Sequence, residues 1–290
     1  MKQSLIALFV FFIFSNLCFA QTIKIERMPL VPPVPLVGDE DLYGMPVEER
    51  GDAYKKYLSP SVKIIAAGSS GSGTIIFYDK NKNIAYVATC GHLWNTGVLN
   101  FEQAEAKKMK CEIVTWYHNN IKLNKTKSYT ANVLFYSHIT GCDTALVSFT
   151  PDWSPEYFPI GPKDYKYIKG TNVHSMGCDG AREVAHYNVE VIGIRGNDLV
   201  TIKNSPRPGR SGGGLVDDNK IYIGTCWGTT SFDGGGQGFF TPLSVIHEFW
   251  RRNNYGWLLE INRPKLKIID RNSNKEVLTN DYILMPALSK

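Results

Sequence analysis

The chain has 290 residues, a formal net charge of +5, 43% hydrophobic residues and 20% charged residues. These values are typical of a globular protein and exclude a disordered or fibrous one. The mild positive charge is spread along the chain without a long run of Lys or Arg, so nucleic-acid binding is not expected. Glycine occurs 26 times and aromatic residues reach 12%, which favours many strands joined by tight turns.

The first 20 residues are typical of a signal peptide. Lys2 gives a positive start, Leu5 to Phe14 is an unbroken apolar run, and Ala20 is a small residue just before Gln21. The run of about ten residues is short for a bilayer span. We therefore expect cleavage after Ala20, a secreted or periplasmic protein, and no stable membrane span after removal of the signal. An uncleaved N-terminal anchor is the alternative.

Residues 21–60 differ in composition from the rest of the chain. Four prolines stiffen the beginning of this segment, and a polar, acidic stretch lies at 38–41. We interpret 21–60 as an N-terminal arm, a linker or a pro-segment. Within it, Glu48–Leu58 is compatible with a short helix.

From Ser61 onward, short β-type runs alternate with glycine or polar breaks. Strands that follow one another this often, without long helices between them, predict an all-β barrel or sandwich. The predicted strands are Val62–Ala66, Thr74–Tyr78, Ile84–Ala88, Ile113–Tyr117, Ala131–Tyr136, Thr144–Phe149, Asn172–Met176, Val184–Ile194, Leu199–Lys203, Gly214–Val216, Ile221–Trp227 and Gly238–Thr241.

One helix is predicted late in the chain, over residues 242–253. Thr241 is its expected N-cap and Pro242 its first-turn proline. Its apolar face would consist of Val245, Ile246, Phe249 and Trp250. A further strand pair is predicted within 261–290, with a turn at 272–274.

The cysteines leave the disulfide pattern open. Cys18 lies in the predicted signal peptide, and the other five allow at most two disulfides with one thiol left over. None of them has the spacing of a zinc site.

Three residues stand in contexts that suggest catalysis, in the order His, Asp, Ser. An apolar strand runs into His92, Asp143 directly precedes an apolar strand, and Ser211 lies among glycines before another strand. Each feature alone is weak, since a lone His is usually structural, a lone Asp a turn residue and a Ser among glycines a loop. Together they indicate a nucleophile, a base and a carboxylate that orients the base.

This combination has a chemical reason. A serine hydroxyl needs a base to take its proton, and histidine, with a reference pKa of about 6.5, does this near neutral pH. A buried carboxylate fixes the imidazole tautomer. The glycines let backbone amides converge on a developing oxyanion, a stabilisation of about 3 kcal/mol per donor. Gly209 and Ser211 are the expected donors. The other histidines lack a comparable strand-end context and are interpreted as structural or exposed: His118, His138, His174, His186 and His247.

The chain resembles the chymotrypsin/trypsin-like serine peptidases over about residues 61–255. The segments that carry the resemblance are Gly71-Ser72-Gly73-Thr74-Ile75-Ile76, Thr89-Cys90-Gly91-His92, Asp143-Thr144-Ala145-Leu146, Gly209-Arg210-Ser211-Gly212-Gly213, Thr225-Cys226-Trp227-Gly228 and Gly238-Phe239-Phe240-Thr241. The resemblance implies two six-stranded antiparallel β-barrels, a C-terminal helix, and an active site between the barrels. It places the peptidase domain at 61–260 and leaves 261–290 as a tail.

The same resemblance implies the roles of the site residues. His92, Asp143 and Ser211 would form the catalytic triad, and the amides of Gly209 and Ser211 the oxyanion hole. Substrate would be bound by Ser205, Cys226, Trp227, Gly228 and Gly238. No metal or cofactor is implied, and the partner would be a protein or peptide substrate.

Two departures from the family pattern matter. Arg210 stands where animal members of the zymogen type have an aspartate, so activation by insertion of a new N-terminus is not expected. The bacterial Deg/HtrA-like branch also lacks that aspartate, but the roughly 37 residues after the predicted helix are too few for the PDZ domain found in many of its members. Trp94 stands where many extracellular members have a disulfide cysteine.

The resemblance places Ser205 at the base of the specificity pocket. A neutral residue there, with Gly228 and Gly238 leaving the walls open, favours an uncharged apolar P1 side chain. Alternatively, the two prolines between Ser205 and Ser211 remodel the loop and this register fails.

The predicted function is that of an exported serine endopeptidase. Three alternatives stay open. The domain could bind a protein partner without cutting it, it could process only itself or one partner, or it could be a structural protein without peptidase activity.

Overall fold

The computed structural model describes residues 57–66, 68–94, 100–101, 108–118, 121–139, 141–231, 235–261, 266–270 and 275–279. The predicted signal peptide and nearly all of the predicted arm, including most of its possible short helix, lie outside the described residues. The last residues of that arm, 57–60, are buried. Tyr57 lies against the second half of the fold, with its hydroxyl 3.0 Å from Nε2 of His174.

The first half of the fold is a closed barrel of six antiparallel strands with one short strand added to it. The barrel order is β6–β5–β1–β2–β3–β7, it closes through β6 and β7, and β4 pairs with β6 outside the ring. The strands are β1 (Ser61–Ala66), β2 (Ser69–Asp79), β3 (Ile84–Thr89), β4 (Asn100–Phe101), β5 (Lys110–His118), β6 (Ile121–Ile139) and β7 (Cys142–Phe149).

The second half is also a closed barrel of six antiparallel strands, in the order β10–β13–β12–β11–β8–β9. Its strands are β8 (Asn172–Gly177), β9 (Ala185–Arg195), β10 (Asp198–Ile202), β11 (Gly214–Val216), β12 (Tyr222–Thr229) and β13 (Gly238–Pro242). Every strand predicted from 61 to 241 has a counterpart in these two barrels. The prediction of two six-stranded antiparallel barrels is therefore confirmed.

The alternation of apolar and polar residues explains which strands close onto a core. In β9, Tyr187, Val189 and Val191 are buried, while Asn188 between them is exposed. In contrast, seven of the eight residues of β7 are buried. A strand with both faces buried does not alternate, and β7 buries the polar Thr144 and Ser148 beside the short apolar run at 145–147.

Two helices follow the second barrel, α1 (Leu243–Arg252) and α2 (Gly256–Ile261). The predicted helix is confirmed as α1, but its predicted N-cap is wrong. Pro242 is the N-cap, whereas Thr241 belongs to β13 and donates its hydroxyl to the carbonyl of Asp143 at 2.7 Å. Because the Thr241 hydroxyl binds the carbonyl of Asp143, it does not cap the N-terminus of α1.

The C-terminal strand pair is confirmed as β14 (Leu266–Asp270) and β15 (Lys275–Thr279), which are antiparallel partners. The predicted turn between them lies outside the described residues. Within the described ranges, no helix has both the length and the apolar character that a membrane span requires.

We expect the contact between α1 and the first barrel to contribute strongly to stability. Trp250 in α1 is fully buried, and its ring lies 6.1 Å from that of Phe135 in β6. Trp250→Ala should lower the free energy of unfolding by about 3–5 kcal/mol, because it removes a large buried side chain and leaves a cavity. Urea unfolding followed by fluorescence would measure this change.

Arg252→Ala is the matched control on the same helix. Its side chain is 68% exposed and pairs with Glu248 at the surface. This variant should change the free energy of unfolding by no more than about 0.5 kcal/mol. Equal effects of the two substitutions would show that α1 is not packed on the barrel.

Candidate active site

His92 lies three residues after the end of β3, at the start of a single 3-10 turn formed by His92–Trp94. Trp94 is buried, and its ring stacks on Tyr136 with 5.7 Å between the centroids. Buried packing of Trp94 thus fixes this turn, at the position where many extracellular members of the family have a disulfide cysteine. The side chain of His92 remains 25% exposed.

Asp143, in β7, holds His92 from one side. Its Oδ2 lies 2.7 Å from Nδ1 of His92. Its Oδ1 accepts the backbone N–H groups of Gly91 at 2.5 Å and His92 at 3.1 Å. A carboxylate fixed this way keeps the proton of the imidazole on Nδ1 and leaves Nε2 as the basic nitrogen.

Nε2 of His92 lies beside a second residue that sequence reasoning did not assign to the site. It is 3.6 Å from Sγ of Cys90, a fully buried thiol. Among the described residues, Nε2 has no hydrogen bond to Ser211. Catalytic hydrogen bonds of this kind are often long before substrate binds.

The pKa of His92 is raised above its usual value. A Cys90 thiolate would raise it most, burial lowers it, and the hydrogen bond that Nδ1–H donates to Asp143 raises it. However, burial raises the pKa of the Cys90 thiol, so this group is uncharged at neutral pH. With the thiol uncharged, the carboxylate of Asp143 is the neighbour that raises the pKa of His92, against the opposing effect of burial.

Ser211 lies in a glycine-containing loop between β10 and β11. The amides of Arg210, Gly212 and Gly213 donate to the carbonyls of Arg207, Cys226 and Arg210, respectively. In the described part of the chain, the alternating amides of Gly209 and Ser211 have no such acceptor. These two N–H groups are therefore free to bind an anion.

Glycine is required at two positions of this loop. Gly209 has a φ of +98°, and a Cβ there would lie 2.3 Å from the carbonyl oxygen of Cys178. Gly212 has a φ of +87°, and a Cβ there would lie 2.1 Å from the hydroxyl oxygen of Thr89. The loop that carries Ser211 thus packs directly against the strand end that leads to His92.

The structure places the five predicted substrate-binding residues around β12 and β13. Ser205 is fully buried, and its hydroxyl accepts the amide of Gly236 at 3.1 Å. Gly228 is the register partner of Phe239, and the register shifts between Cys226 and Gly228. Cys226 and Gly238 are buried, while Trp227 is half-buried.

A cavity of about 580 Å³ adjoins the candidate triad. Trp227 is the one predicted substrate-binding residue that lines it in the described part of the chain. The lining residues are His138, Ile139, Gly141, Cys142, Asp143, Asp198 and Trp227. Asp198 accepts the indole N–H of Trp227 at 3.2 Å, which fixes the ring at the edge of the cavity.

One group of potential metal ligands occurs in the described ranges, formed by Cys90, His92 and Asp143. Asp143 already accepts three N–H groups, one of them from the ring of His92 itself. Only Cys90 and His92 would then face an ion, fewer than the three or four protein ligands of a zinc site. The arrangement fits an acid–base site better than a metal centre.

The five cysteines within the described residues are all free. Neither of the two disulfides that their number allowed is formed. The free cysteines are Cys90, Cys111, Cys142, Cys178 and Cys226.

Two antiparallel six-stranded barrels, with a His–Asp pair from the first and a serine followed by glycines from the second, define the class of trypsin-like folds. The chain belongs to the family of trypsin-like peptidase domains, whose model matches residues 71–224, more than half of the chain. No curated protein matches the chain.

Solved structures of bacterial proteases are similar to this chain. The serine endoprotease from Yersinia pestis is 17% identical, with 75% of this chain and 69% of that chain covered and a TM-score of 0.51. An inactive form of Rv3671c from M. tuberculosis H37Rv is 18% identical, with coverage of 78% and 96% and a TM-score of 0.49. The MamO protease domain from Magnetospirillum magneticum is 17% identical, with coverage of 68% and 98% and a TM-score of 0.47.

Substitutions of Asp143 and Cys90 should have different effects on the pKa of His92. Asp143→Asn should lower the pKa of His92, because a neutral amide no longer stabilises the imidazolium. Cys90→Ala should leave that pKa raised, because the thiol it removes is uncharged. Titration of the imidazole resonances by NMR would measure both.

His247 is an internal control in the same spectra, since burial lowers its pKa to about 4 and its Nε2 is bound to the carbonyl of Gly161. A drop for Cys90→Ala as large as that for Asp143→Asn would show instead that a thiolate–imidazolium pair exists at the site.

Proposed function

We propose that this protein is a serine endopeptidase that hydrolyses peptide bonds through an acyl-enzyme. The observation that carries the proposal is the His92–Asp143 pair, in which one carboxylate oxygen binds Nδ1 and the other binds two backbone amides. This arrangement leaves Nε2 of His92 as the base that would take the hydroxyl proton of Ser211.

In the first half-reaction, Oγ of Ser211 attacks the substrate carbonyl carbon while Nε2 of His92 accepts the hydroxyl proton. The tetrahedral intermediate collapses, the C–N bond breaks, and the proton passes from His92 to the leaving amine. Water then attacks the ester by the same route, its proton passes through His92, and Ser211 is released. This chemistry needs no metal or cofactor.

The negative charge on the carbonyl oxygen needs donors that are already in place. The amides of Gly209 and Ser211 supply them, since their neighbours in the loop are committed to internal bonds. Two such donors fixed before reaction stabilise the oxyanion without reorganisation.

The raised pKa of His92 has a direct consequence for rate. The base must be unprotonated, so activity increases with pH through the pKa of His92, and this rise lies above pH 6.5. His92 is a stronger base for the same reason.

Substrates are proteins or peptides, with an uncharged side chain at P1. The support is Ser205, whose neutral hydroxyl, rather than a charged group, accepts the amide of Gly236. Export through the signal peptide at 1–20 is part of the same proposal and rests on the sequence pattern.

A fluorophosphonate probe on the full chain tests the proposal most directly. Labelling requires a nucleophile, a base and an oxyanion hole, so the wild-type protein should be labelled and Ser211→Ala should not. Absence of labelling in the wild type would reject the proposal and favour a domain that only binds a partner.

The three triad residues should behave as one unit in peptide hydrolysis. Ser211→Ala and His92→Ala should each lower kcat by about 10⁶-fold, and the double variant no further. Asp143→Asn should lower kcat by about 10⁴-fold, because the imidazole takes the wrong tautomer. Steady-state kinetics would measure these losses.

His174→Gln is the control for the loss of a histidine. His174 lies on β8 and contacts Asp218 and Tyr57. It should retain wild-type kcat. Additive losses for Ser211→Ala and His92→Ala would contradict a shared mechanism.

The specificity pocket gives a separate prediction. Ser205→Asp should raise kcat/KM for Arg relative to Leu at P1 by at least about tenfold, because a carboxylate at the pocket base attracts a cation. Ser205→Asn has a similar shape without the charge and should not. If neither variant changes the ratio, Ser205 does not form the base of the pocket.

A further inference from the structure

The residue directly before Ser211, Arg210, is fully buried and forms an ion pair with Asp179. Nε and Nη2 of Arg210 donate to the two oxygens of Asp179 at 2.8 and 2.5 Å. Arg210 is 0% exposed and Asp179 8%. A parallel pair of this kind is both strong and directional.

Three further contacts hold the Arg210 side chain in place. Nη1 donates to the carbonyl of Asn204 at 2.8 Å, where the loop begins. The ring of Tyr187 in β9 lies over the guanidinium carbon at 3.4 Å from the centroid. A Cβ on Gly177 would lie 2.6 Å from Cγ of Arg210, so the stem passes close over that glycine.

The turn that carries Asp179 also binds the backbone of the loop. Asp179 belongs to a single 3-10 turn, Asp179–Ala181. The amide of Gly180 donates to the carbonyl of Pro208 at 2.6 Å. The turn therefore binds the loop on both sides of Gly209, through the backbone before it and through the Arg210 side chain after it.

We propose that the Arg210–Asp179 pair is the positioning device that sets the shape of the oxyanion loop, so that this peptidase forms its oxyanion hole on folding and needs no cleaved N-terminus. The inference rests on the proposed function and deepens it. Arg210 acts through Ser211 and the amide of Gly209 rather than on substrate. Because the cation is already paired and buried, an N-terminal ammonium group has no counter-charge to bind there.

The kinetic test uses substitutions on both sides of the pair in the full chain. Arg210→Gln and Asp179→Asn should each lower kcat by about 10²–10³-fold with little change in KM, as expected for the loss of oxyanion stabilisation. The double variant should be no worse than either single one, since both remove the same interaction. Arg210→Lys keeps the charge but loses the parallel pair, so it should fall between Arg210→Gln and the wild type.

Leu258→Ala separates positioning from general destabilisation. Leu258 is a fully buried residue of α2, and its loss destabilises the fold without touching the loop. Below its unfolding temperature it should keep wild-type kcat. If Asp179→Asn and Arg210→Gln also keep wild-type kcat, or raise only KM, the inference is wrong.

Amide hydrogen exchange gives a readout that does not need activity. In the wild type, the amides of Gly212 and Gly213 should exchange as slowly as those of the barrel core, and in Asp179→Asn they should exchange at least about tenfold faster. Rapid exchange of these amides in the wild type would overturn the inference, even if no variant folds. A wild type that is not labelled by fluorophosphonate but shows the exchange pattern would reject the proposed function and leave the role of the pair standing.

Discussion

A buried serine of the first barrel, Ser72 in β2, joins the two halves of the site. Its amide donates to the carbonyl of Ser211 at 2.6 Å, and its carbonyl accepts the hydroxyl of Thr89 at 2.7 Å. Its own hydroxyl donates to the carbonyl of Gly209 at 2.7 Å and accepts the amide of Cys178 at 2.8 Å. One residue thus satisfies all its polar groups by bonding to the loop of Ser211, to the turn beside that loop and to the end of β3, the strand that precedes His92. Such a fully satisfied buried network fixes one arrangement of its parts.

The division of residues between the barrels makes this junction necessary. In the proposed mechanism, the first barrel would supply the base and its carboxylate, and the second would supply the serine and the amides that bind the oxyanion. A displacement of about 1 Å between the two sets would cost a large part of the rate. Thr241 provides a second crossing, since its hydroxyl in β13 binds the carbonyl of Asp143 in β7. The aspartate that orients His92 is therefore held from both barrels.

Residues with local signals can be predicted from the sequence, and residues defined by distant partners cannot. Strand alternation and glycine breaks locate the strands, and strand-end positions single out His92, Asp143 and Ser211. In the sequence, Thr241 resembles a helix N-cap because it stands before Pro242 and the helix. Its actual hydrogen-bond partner is 98 residues away, so local sequence does not reveal it. Arg210 is recognisable as a departure from the family pattern. No sequence feature indicates that Asp179, 31 residues earlier, is its partner. For Ser72, the sequence feature that could indicate its role is its position between two glycines, Gly71 and Gly73.

The two pairs near Ser211 differ in chemistry in the way that their proposed tasks require. His92 pairs with Asp143, and an imidazole can lose and regain a proton, as each cycle of the proposed reaction requires. Arg210 pairs with Asp179, and a guanidinium does not give up its proton in a protein. A residue that transfers protons must titrate, whereas a residue that only holds a loop is best served by a fixed charge with a fixed geometry. Exchanging the two cations would give a base that cannot accept a proton and a loop whose shape depends on pH.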